Sequence, residues 1–232
     1  MQATLNKFET SSELNTFFAN EIADKLRAGI EQAGSASLLI SGGSTPRPMF
    51  AVLSEIDIDW SKVNIALVDD RWVDIDDPSS NEKMANEALL INKAAKANFV
   101  GMKTQHTNAF DAEQAVTKKL AHIKQPFDVV ILGMGEDGHT ASIFPCCAQL
   151  DEALTTSKTI MATEPTTAPH QRMTYTKQAL LNSKQLYLHL VGESKEVVLQ
   201  QVASSDNIKE APIRAFLNQS EVPMSVMFAK TK

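Results

Sequence analysis

The chain has 232 residues, of which 43% are hydrophobic and 22% are charged, and it carries a formal net charge of −6. This composition is that of a globular protein long enough to bury its own core, and we expect a single domain over residues 1–232. The acidic balance, without any block of basic residues, argues against a nucleic-acid partner.

The cysteines and the hydropathy of the chain bear on its compartment. Cys146 and Cys147 are the only two cysteines and are neighbours, so they cannot form a disulfide framework. Unpaired cysteines are typical of a reducing cytoplasm. Residues 1–14 lack the apolar stretch of a signal peptide, and no apolar run is long enough to span a bilayer. We therefore expect a cytoplasmic monomer with no membrane partner.

Apolar periodicity and helix-capping residues predict helices and strands that alternate along the chain. In chain order these elements are a helix from Ser11 or Ser12 to Gly34, a strand at Ser37–Ser41, a helix from Pro46 to about Glu55, a strand at Val63–Val68, a helix from a Ser79–Glu82 capping box to about Ile91, a strand at Asn98–Met102, a helix capped by Asp111 and Gln114 that runs through Ile123, strands at Phe127–Leu132, Thr159–Ala162 and Gln185–Val191, a helix at Glu193–Ala203, and a strand at Val222–Phe228. This alternation predicts an α/β fold with a mostly parallel sheet and helices on both faces.

Ligands of open α/β sheets bind at the carboxyl ends of the strands, which directs attention to three loops. The first is Gly42-Gly43-Ser44-Thr45-Pro46. Its glycines allow close backbone approach, its hydroxyls are donors, and the helix that follows presents free N–H groups to an anion. It is not a P-loop, because no Gly-Lys-Ser/Thr follows. A tight strand-to-helix turn explains the glycines equally well.

The second loop begins Asp69-Asp70-Arg71-Trp72-Val73 and continues to Ser80-Asn81. Acids at a strand end can act as bases or hold an arginine, and Arg71 can bind a phosphate with two parallel hydrogen bonds. Taken alone, a surface ion pair is the simpler interpretation.

The third loop, Gly133-Met134-Gly135-Glu136-Asp137-Gly138-His139, contains a literal G-x-G-x-x-G. We reject a dinucleotide site, because the loop lies past mid-chain and Pro145 soon follows. No strand about twenty residues on ends in a ribose-binding acid. His139 at the end of a strand suits general base work, and we favour that role over a hydrogen-bonded loop histidine. Either Asp137 or Asp69 could orient it.

Cations in the second half of the chain are the remaining candidates for binding an anion. Arg172, Lys195 and Arg214 stand at the ends of predicted elements, although each alone is more simply a solvated surface charge. We find no convincing zinc spacing and no G-x-S-x-G nucleophile elbow, so neither a metal nor a serine nucleophile is expected.

These segments, taken together, resemble the 6-phosphogluconolactonase family. The segments that carry the resemblance are SGGSTP, VDDRWV followed by SN, GMGEDGHTASIFP, RMTYTKQALL and VGESK, which lie between about Ser37 and Arg214. The chain departs from the family pattern at Asp70, where glutamate is frequent, and at Cys146, where glycine is common.

The resemblance implies a Rossmann-like sheet and a hydrolase that needs neither metal nor cofactor. Its substrate would be 6-phospho-D-glucono-1,5-lactone, an intermediate of the oxidative pentose phosphate pathway. It places His139 at the catalytic histidine position, with Asp137 or Asp69 in support. The residues at positions associated with substrate and phosphate binding are Gly42, Gly43, Ser44, Thr45, Arg71, Arg172 and Lys195.

Two rival functions share this fold. The glucosamine-6-phosphate deaminase pattern has a glutamate five residues after the histidine, where this chain has Phe144. A sugar-phosphate-sensing domain of a transcription regulator would carry a DNA-binding module, and no basic helix-turn-helix precedes the first predicted strand.

Overall fold

The computed structural model of the chain describes residues 2–231. Its strands and α-helices are, in chain order, β1 (Thr4–Thr10), α1 (Ser11–Ala33), β2 (Ala36–Ile40), α2 (Arg47–Glu55), β3 (Val63–Leu67), β4 (Asp69–Arg71), α3 (Asn81–Ala88), β5 (Asn98–Val100), α4 (Ala109–Leu120), β6 (Val129–Leu132), α5 (Leu150–Thr155), β7 (Ile160–Thr163), β8 (Arg172–Tyr175), α6 (Lys177–Leu181), β9 (Leu186–Val191), α7 (Glu193–Ala203), α8 (Arg214–Leu217) and β10 (Met224–Thr231). Within residues 2–231, none of the helices has the length and apolar character that crossing a membrane requires.

The main sheet has seven parallel strands in the order β1-β10-β9-β6-β2-β3-β5. From β2 the chain moves to β3 and β5, whereas from β6 it moves the other way to β9 and β10. Right-handed connections in opposite directions place helices on both faces, with the switch point between β2 and β6. Both of these strands are fully buried. The predicted α/β fold is confirmed.

A second, three-stranded antiparallel sheet in the order β4-β8-β7 was not predicted. We expected a polar loop from Asp69 onward, because a three-residue strand of charged side chains has no apolar pattern. The pairing places Asp69 opposite Thr174 and Arg71 opposite Arg172. The small sheet therefore brings two arginines together that are about a hundred residues apart in sequence.

Strand β1 was also missed, and its residues explain why. Its apolar residues, Leu5 and Phe8, are three positions apart and so face opposite sides of the sheet. A period-two pattern cannot reveal such a strand. It forms because β10 offers a long parallel partner, from Thr4 beside Ser225 to Thr10 beside Thr231.

The N-cap of helix α1 lies one residue before Ser11, the earlier of the two predicted start positions. Thr10, not Ser11 or Ser12, is the N-cap, and it forms a capping box with Glu13. The backbone of Thr10 is still extended, which lets its hydroxyl turn back to the first turn of the helix. The predicted end at Gly34 is confirmed, with φ of 76°.

The caps of α3 and α4 also differ from the prediction. Ser80, not Ser79, accepts from the backbone N–H of Lys83. The side chain of Asn108 caps α4, so Asp111 lies inside the first turn. In both cases a neighbouring polar residue with extended backbone is the cap.

Asp128, just before β6, forms a buried ionic cluster at the amino end of the sheet. Its carboxylate accepts from Lys124 Nζ at 2.9 Å, from Lys184 Nζ at 2.8 Å and from the Ser37 backbone N–H at 2.9 Å. Burial opposes ionisation, but the two ammonium groups and this N–H lower the pKa of Asp128. The cluster fixes β2 and β6 at the end opposite the ligand edge.

Candidate active site

A cavity of about 310 Å³ lies at the carboxyl ends of β2, β6 and β9. The predicted site residues that line it together are Gly42, Gly43, Ser44, Thr45, Asp69, Arg71, His139, Arg172 and Lys195. The fold thus gathers the three predicted loops and two of the three predicted cations.

The first loop has the conformation that its glycines allow. Gly43 has φ of 92°, which a residue with a side chain rarely adopts. A Cβ built on Gly42 would overlap the side chain of Asn81. Helix α2 begins immediately afterwards without a side-chain cap, although Pro46 and Pro48 have no N–H to donate. The loop itself, with its backbone N–H and hydroxyl donors, suits an anion.

The glycines of the third loop shape a tight turn around His139. The N–H of Gly135 donates to the carbonyl of His139 at 2.9 Å, and Gly138 has φ of 74°. A Cβ on Gly135 would overlap the imidazole of His139 and the carboxylate of Asp137. Packing against the histidine therefore explains glycine at 135, and a positive φ together with the close approach of Ala211 explains glycine at 138.

Asp137 is the carboxylate beside His139. Its Oδ1 lies 2.5 Å from Nδ1 of His139 and also accepts the backbone N–H of that residue. Burial opposes ionisation of Asp137, but the hydrogen bond and charge of His139 lower its pKa. A proton on Nδ1 would leave Nε2 as the acceptor of the ring. Of the two acids that the sequence left open, the geometry pairs Asp137 with the histidine.

Asp69 has a different partner. Its Oδ2 accepts the hydroxyl of Ser142 at 2.5 Å, and its backbone carbonyl accepts from Asn81. The carboxylate is buried at the cavity wall. Asp69 is thus a fixed acid of the cavity and is not hydrogen-bonded to His139.

Phe144 stacks against the imidazole of His139. The two rings stack with centroids 3.9 Å apart and planes inclined by 23°. The guanidinium of Arg172 lies 5.6 Å from the same phenyl centroid. Phe144 therefore contacts His139 on one side and places a cation close by.

The two arginines form an unusual pair. Arg71 and Arg172 are directly opposite in the antiparallel ladder, an arrangement that is unfavourable for like charges unless an anion binds between them. Each makes a bond to a backbone carbonyl, Arg71 to Ser79 at 2.7 Å and Arg172 to Pro169 at 3.0 Å. Burial, and to a lesser degree the charge of Arg71, lowers the pKa of Arg172. Both retain unused donors.

Lys195 reaches the cavity from the first turn of α7. Its Nζ donates to the carbonyl of Met134 at 3.0 Å, which leaves two N–H bonds for a ligand. Arg214 does not belong to the site. It is buried under α7, where its guanidinium donates to the carbonyls of Val202 and Asn207.

Two cavity residues were missed by sequence reasoning. Asn81 was seen only as part of a polar loop, and His189 only as part of a strand. The position of His189 near the carboxyl end of a central strand was the available signal. Burial lowers the pKa of His189 to about 4, so it is neutral at physiological pH.

The remaining candidates for a chemical role are the two cysteines and the side chains that could bind a metal. Cys146 is half-buried beside Thr167, and Cys147 is buried. Burial, and then the adjacent thiol, raises the pKa of Cys147 to about 11. Among residues 2–231, no group of three or more His, Cys, Asp or Glu side chains is arranged to hold a metal ion.

The similarity of this chain to known proteins covers nearly its whole length. Residues 9–224 match the family model described as glucosamine-6-phosphate isomerases/6-phosphogluconolactonase. The 6-phosphogluconolactonase of Rhizobium meliloti (strain 1021) is 39% identical, over 99% of this chain and 100% of its own. That of Neisseria meningitidis (strain MC58) is 38% identical, over 97% and 98% respectively.

The solved structures give the same result. The crystal structure of a 6-phosphogluconolactonase from Shewanella baltica OS155 has a TM-score of 0.97 and 47% sequence identity, and the match covers 98% of this chain and 97% of that one. The chain belongs to the glucosamine-6-phosphate isomerase/6-phosphogluconolactonase family.

Proposed function

We propose that this chain is a 6-phosphogluconolactonase, with His139 as the general base that activates water. The observation that carries the proposal is the His139–Asp137 pair beside a cavity that Arg71, Arg172 and Lys195 supply with positive charge. Its relatives at 38–39% identity over nearly their whole length have this name.

The phosphate of the substrate binds at the cationic side of the cavity. The Gly42–Thr45 loop offers backbone N–H and hydroxyl donors, and Lys195 adds a charge. Anchoring one end of the substrate fixes the lactone carbonyl relative to His139, which lowers the entropic part of the barrier.

Nε2 of His139 takes a proton from water, whose oxygen then adds to the lactone carbonyl carbon. Asp137 holds the proton of Nδ1 and stabilises the imidazolium that forms. The C–O bond to the ring oxygen breaks, and His139 returns its proton to that oxygen. General base catalysis of this kind contributes about 10²–10⁴-fold to the rate.

The tetrahedral intermediate carries a negative charge that needs donors. Arg172 is suited to this task, because its Nε is buried and has no hydrogen-bond partner within residues 2–231. A fixed cation in a partly dry site stabilises a developing oxyanion without reorganisation.

Phe144 counts against a deaminase. The deaminase pattern requires a glutamate at this position, and here a phenyl ring stacks on the imidazole. A stacked hydrocarbon cannot transfer a proton to the substrate. A hydrolytic reaction needs only the base and its carboxylate.

We also propose that the reaction takes place in the cytoplasm and needs no metal or other cofactor. The test is the release of acid from fresh 6-phosphogluconolactone in the presence of a chelator, above the spontaneous rate. Acceleration by the purified chain, and its loss in His139→Asn, is expected. Ammonia release from glucosamine 6-phosphate without lactone hydrolysis would overturn the proposal.

A further inference from the structure

Asn81, at the start of α3, connects two loops of the site through its side chain. Its Nδ2 donates to the backbone carbonyl of Asp69 at 2.9 Å. On its other side, the carboxamide is so close to Gly42 that a Cβ built on that glycine would overlap it. The side chain is buried and lines the cavity. It therefore packs between β4 and Gly42, the first residue of the Gly42–Thr45 loop.

Asp70 holds the backbone of Asn81 in place. Oδ1 of Asp70 accepts from the N–H of Asn81 at 2.7 Å and from that of Arg71 at 2.8 Å, and Oδ2 accepts from Glu82 at 3.2 Å. These bonds fix the first turn of α3 to β4. Because the backbone of Asn81 is held in this way, the position of its carboxamide against Gly42 is fixed.

We infer that Asn81 is a positioning residue that fixes the Gly42–Thr45 loop in the conformation that receives the substrate phosphate. The inference rests on the proposed function, since that assigns the phosphate to this loop. Asn81 contacts the loop and β4, and within residues 2–231 it has no hydrogen bond to His139 or Asp137. Its effect therefore falls on binding and leaves the proton transfer almost unchanged.

The close contact also explains the identity of residue 42. Every atom that a Cβ on Gly42 would meet most closely belongs to the side chain of Asn81. The φ of Gly42 is not positive, unlike that of Gly43, so its backbone conformation alone does not require glycine. Glycine at 42 is thus a consequence of asparagine at 81.

A double-mutant cycle tests this dependence. Gly42→Ala and Asn81→Ala should each raise the KM for 6-phosphogluconolactone about 10-fold, with kcat within about threefold of wild type. In the double variant the new methyl group occupies the space of the lost carboxamide. We expect its KM to be about 10-fold above wild type, not the roughly 100-fold of independent effects.

A second readout uses inorganic phosphate, titrated calorimetrically into the same four proteins. The dissociation constants should show the same coupling, whether or not the lactone is the natural substrate. Additive effects on both KM and phosphate affinity would overturn the inference, as would a fall in kcat with unchanged KM. Lactone hydrolysis absent from the wild type, with coupled phosphate affinities, would instead refute the proposed function and retain the positioning role.

The matched control is Asn86→Ala, on the same helix. Asn86 is exposed, and its Nδ2 donates only to the carbonyl of Glu82 within the helix. This variant should leave KM and phosphate affinity unchanged. If Asn81→Ala does not fold, Asn81→Ser removes the same amide atoms and enters the cycle in its place, with the same coupling expected.

Discussion

Asp128 and Asp137 lie at opposite ends of β6, and they differ in burial and in the side chains with which they pair. Asp128 is 2% exposed and pairs with the ammonium groups of two lysines. Asp137 has 37% of its side chain exposed and pairs with the imidazole of His139. The pKa of both carboxylates is lowered, in Asp128 by two lysines and a backbone N–H and in Asp137 by His139.

We expect the acid before β6 to affect stability and the acid after β6 to affect the reaction. At the amino end, a buried acid with a lowered pKa pairs with two ammonium groups and contributes to the free energy of unfolding. At the carboxyl end, a partly exposed acid is hydrogen-bonded to the histidine that we propose as the general base. Variants of the two acids and their neighbours should therefore affect different measurements.

The largest effect is expected from His139→Asn. Loss of the base should lower kcat by about 10²–10⁴-fold, and the melting temperature should stay near that of wild type, because the ring is partly exposed. Steady-state kinetics and thermal unfolding measure the two quantities. His122→Asn, at an exposed position after α4, is the control and should retain full activity. Activity of His139→Asn within about threefold of wild type would contradict the assignment.

Asp128→Ala should give the opposite result. Removing the carboxylate leaves the Ser37 N–H and two lysines without their acceptor, so the free energy of unfolding should fall by about 2–4 kcal/mol at pH 7. The kcat of the folded variant should be unchanged. Asp24→Ala, which removes an exposed ion pair with Arg27, should cost under about 1 kcal/mol.

The same acid predicts a pH dependence. The folded pKa of Asp128 lies below its ordinary value of 3.8, so its stabilisation is present above that pH. It is lost as the pH falls through the lowered folded pKa. Chemical unfolding of wild type and Asp128→Ala between pH 7 and pH 2 should show the difference in stability shrinking at the acid end. A difference that grows with acidity would exclude this account.

Asp137→Asn should have a smaller effect than loss of the histidine. The amide cannot hold the imidazole proton as a carboxylate does, and we expect kcat to fall about 10- to 100-fold with little change in KM. The neighbouring exposed Glu136→Gln preserves the loop and should have no effect. An unchanged kcat in Asp137→Asn would transfer the supporting role to Asp69.

The smallest effect is expected from Lys195→Ala. A cation that binds the ground-state phosphate contributes to KM, which should rise about 10-fold while kcat changes little. Lys230, whose ion pair with Glu193 is at the surface, is the control. A fall in kcat with constant KM would instead place Lys195 at the reacting carbonyl.

The sequence predicted the parallel sheet and the three loops because strand ends and glycines are local signals. It could not predict that Arg71 faces Arg172, because that register depends on a pairing between distant strands. The sequence also could not predict that Asp137, and not Asp69, contacts His139. The turn that Gly135 and Gly138 allow sets that contact, and residue spacing does not reveal it.

The place of β10 has a consequence for biosynthesis. It lies between β1 and β9, so the first strand of the main sheet has no paired neighbour until one of the last segments has been synthesised. At a synthesis rate of about 5–20 residues per second, roughly 10–40 s pass between the synthesis of β1 and that of β10. Helix α1 can pack against β2 and β6 during that time, but the edge of the sheet stays open on the ribosome. A nascent chain stalled before Met224 should therefore expose β1 to proteases and chaperones.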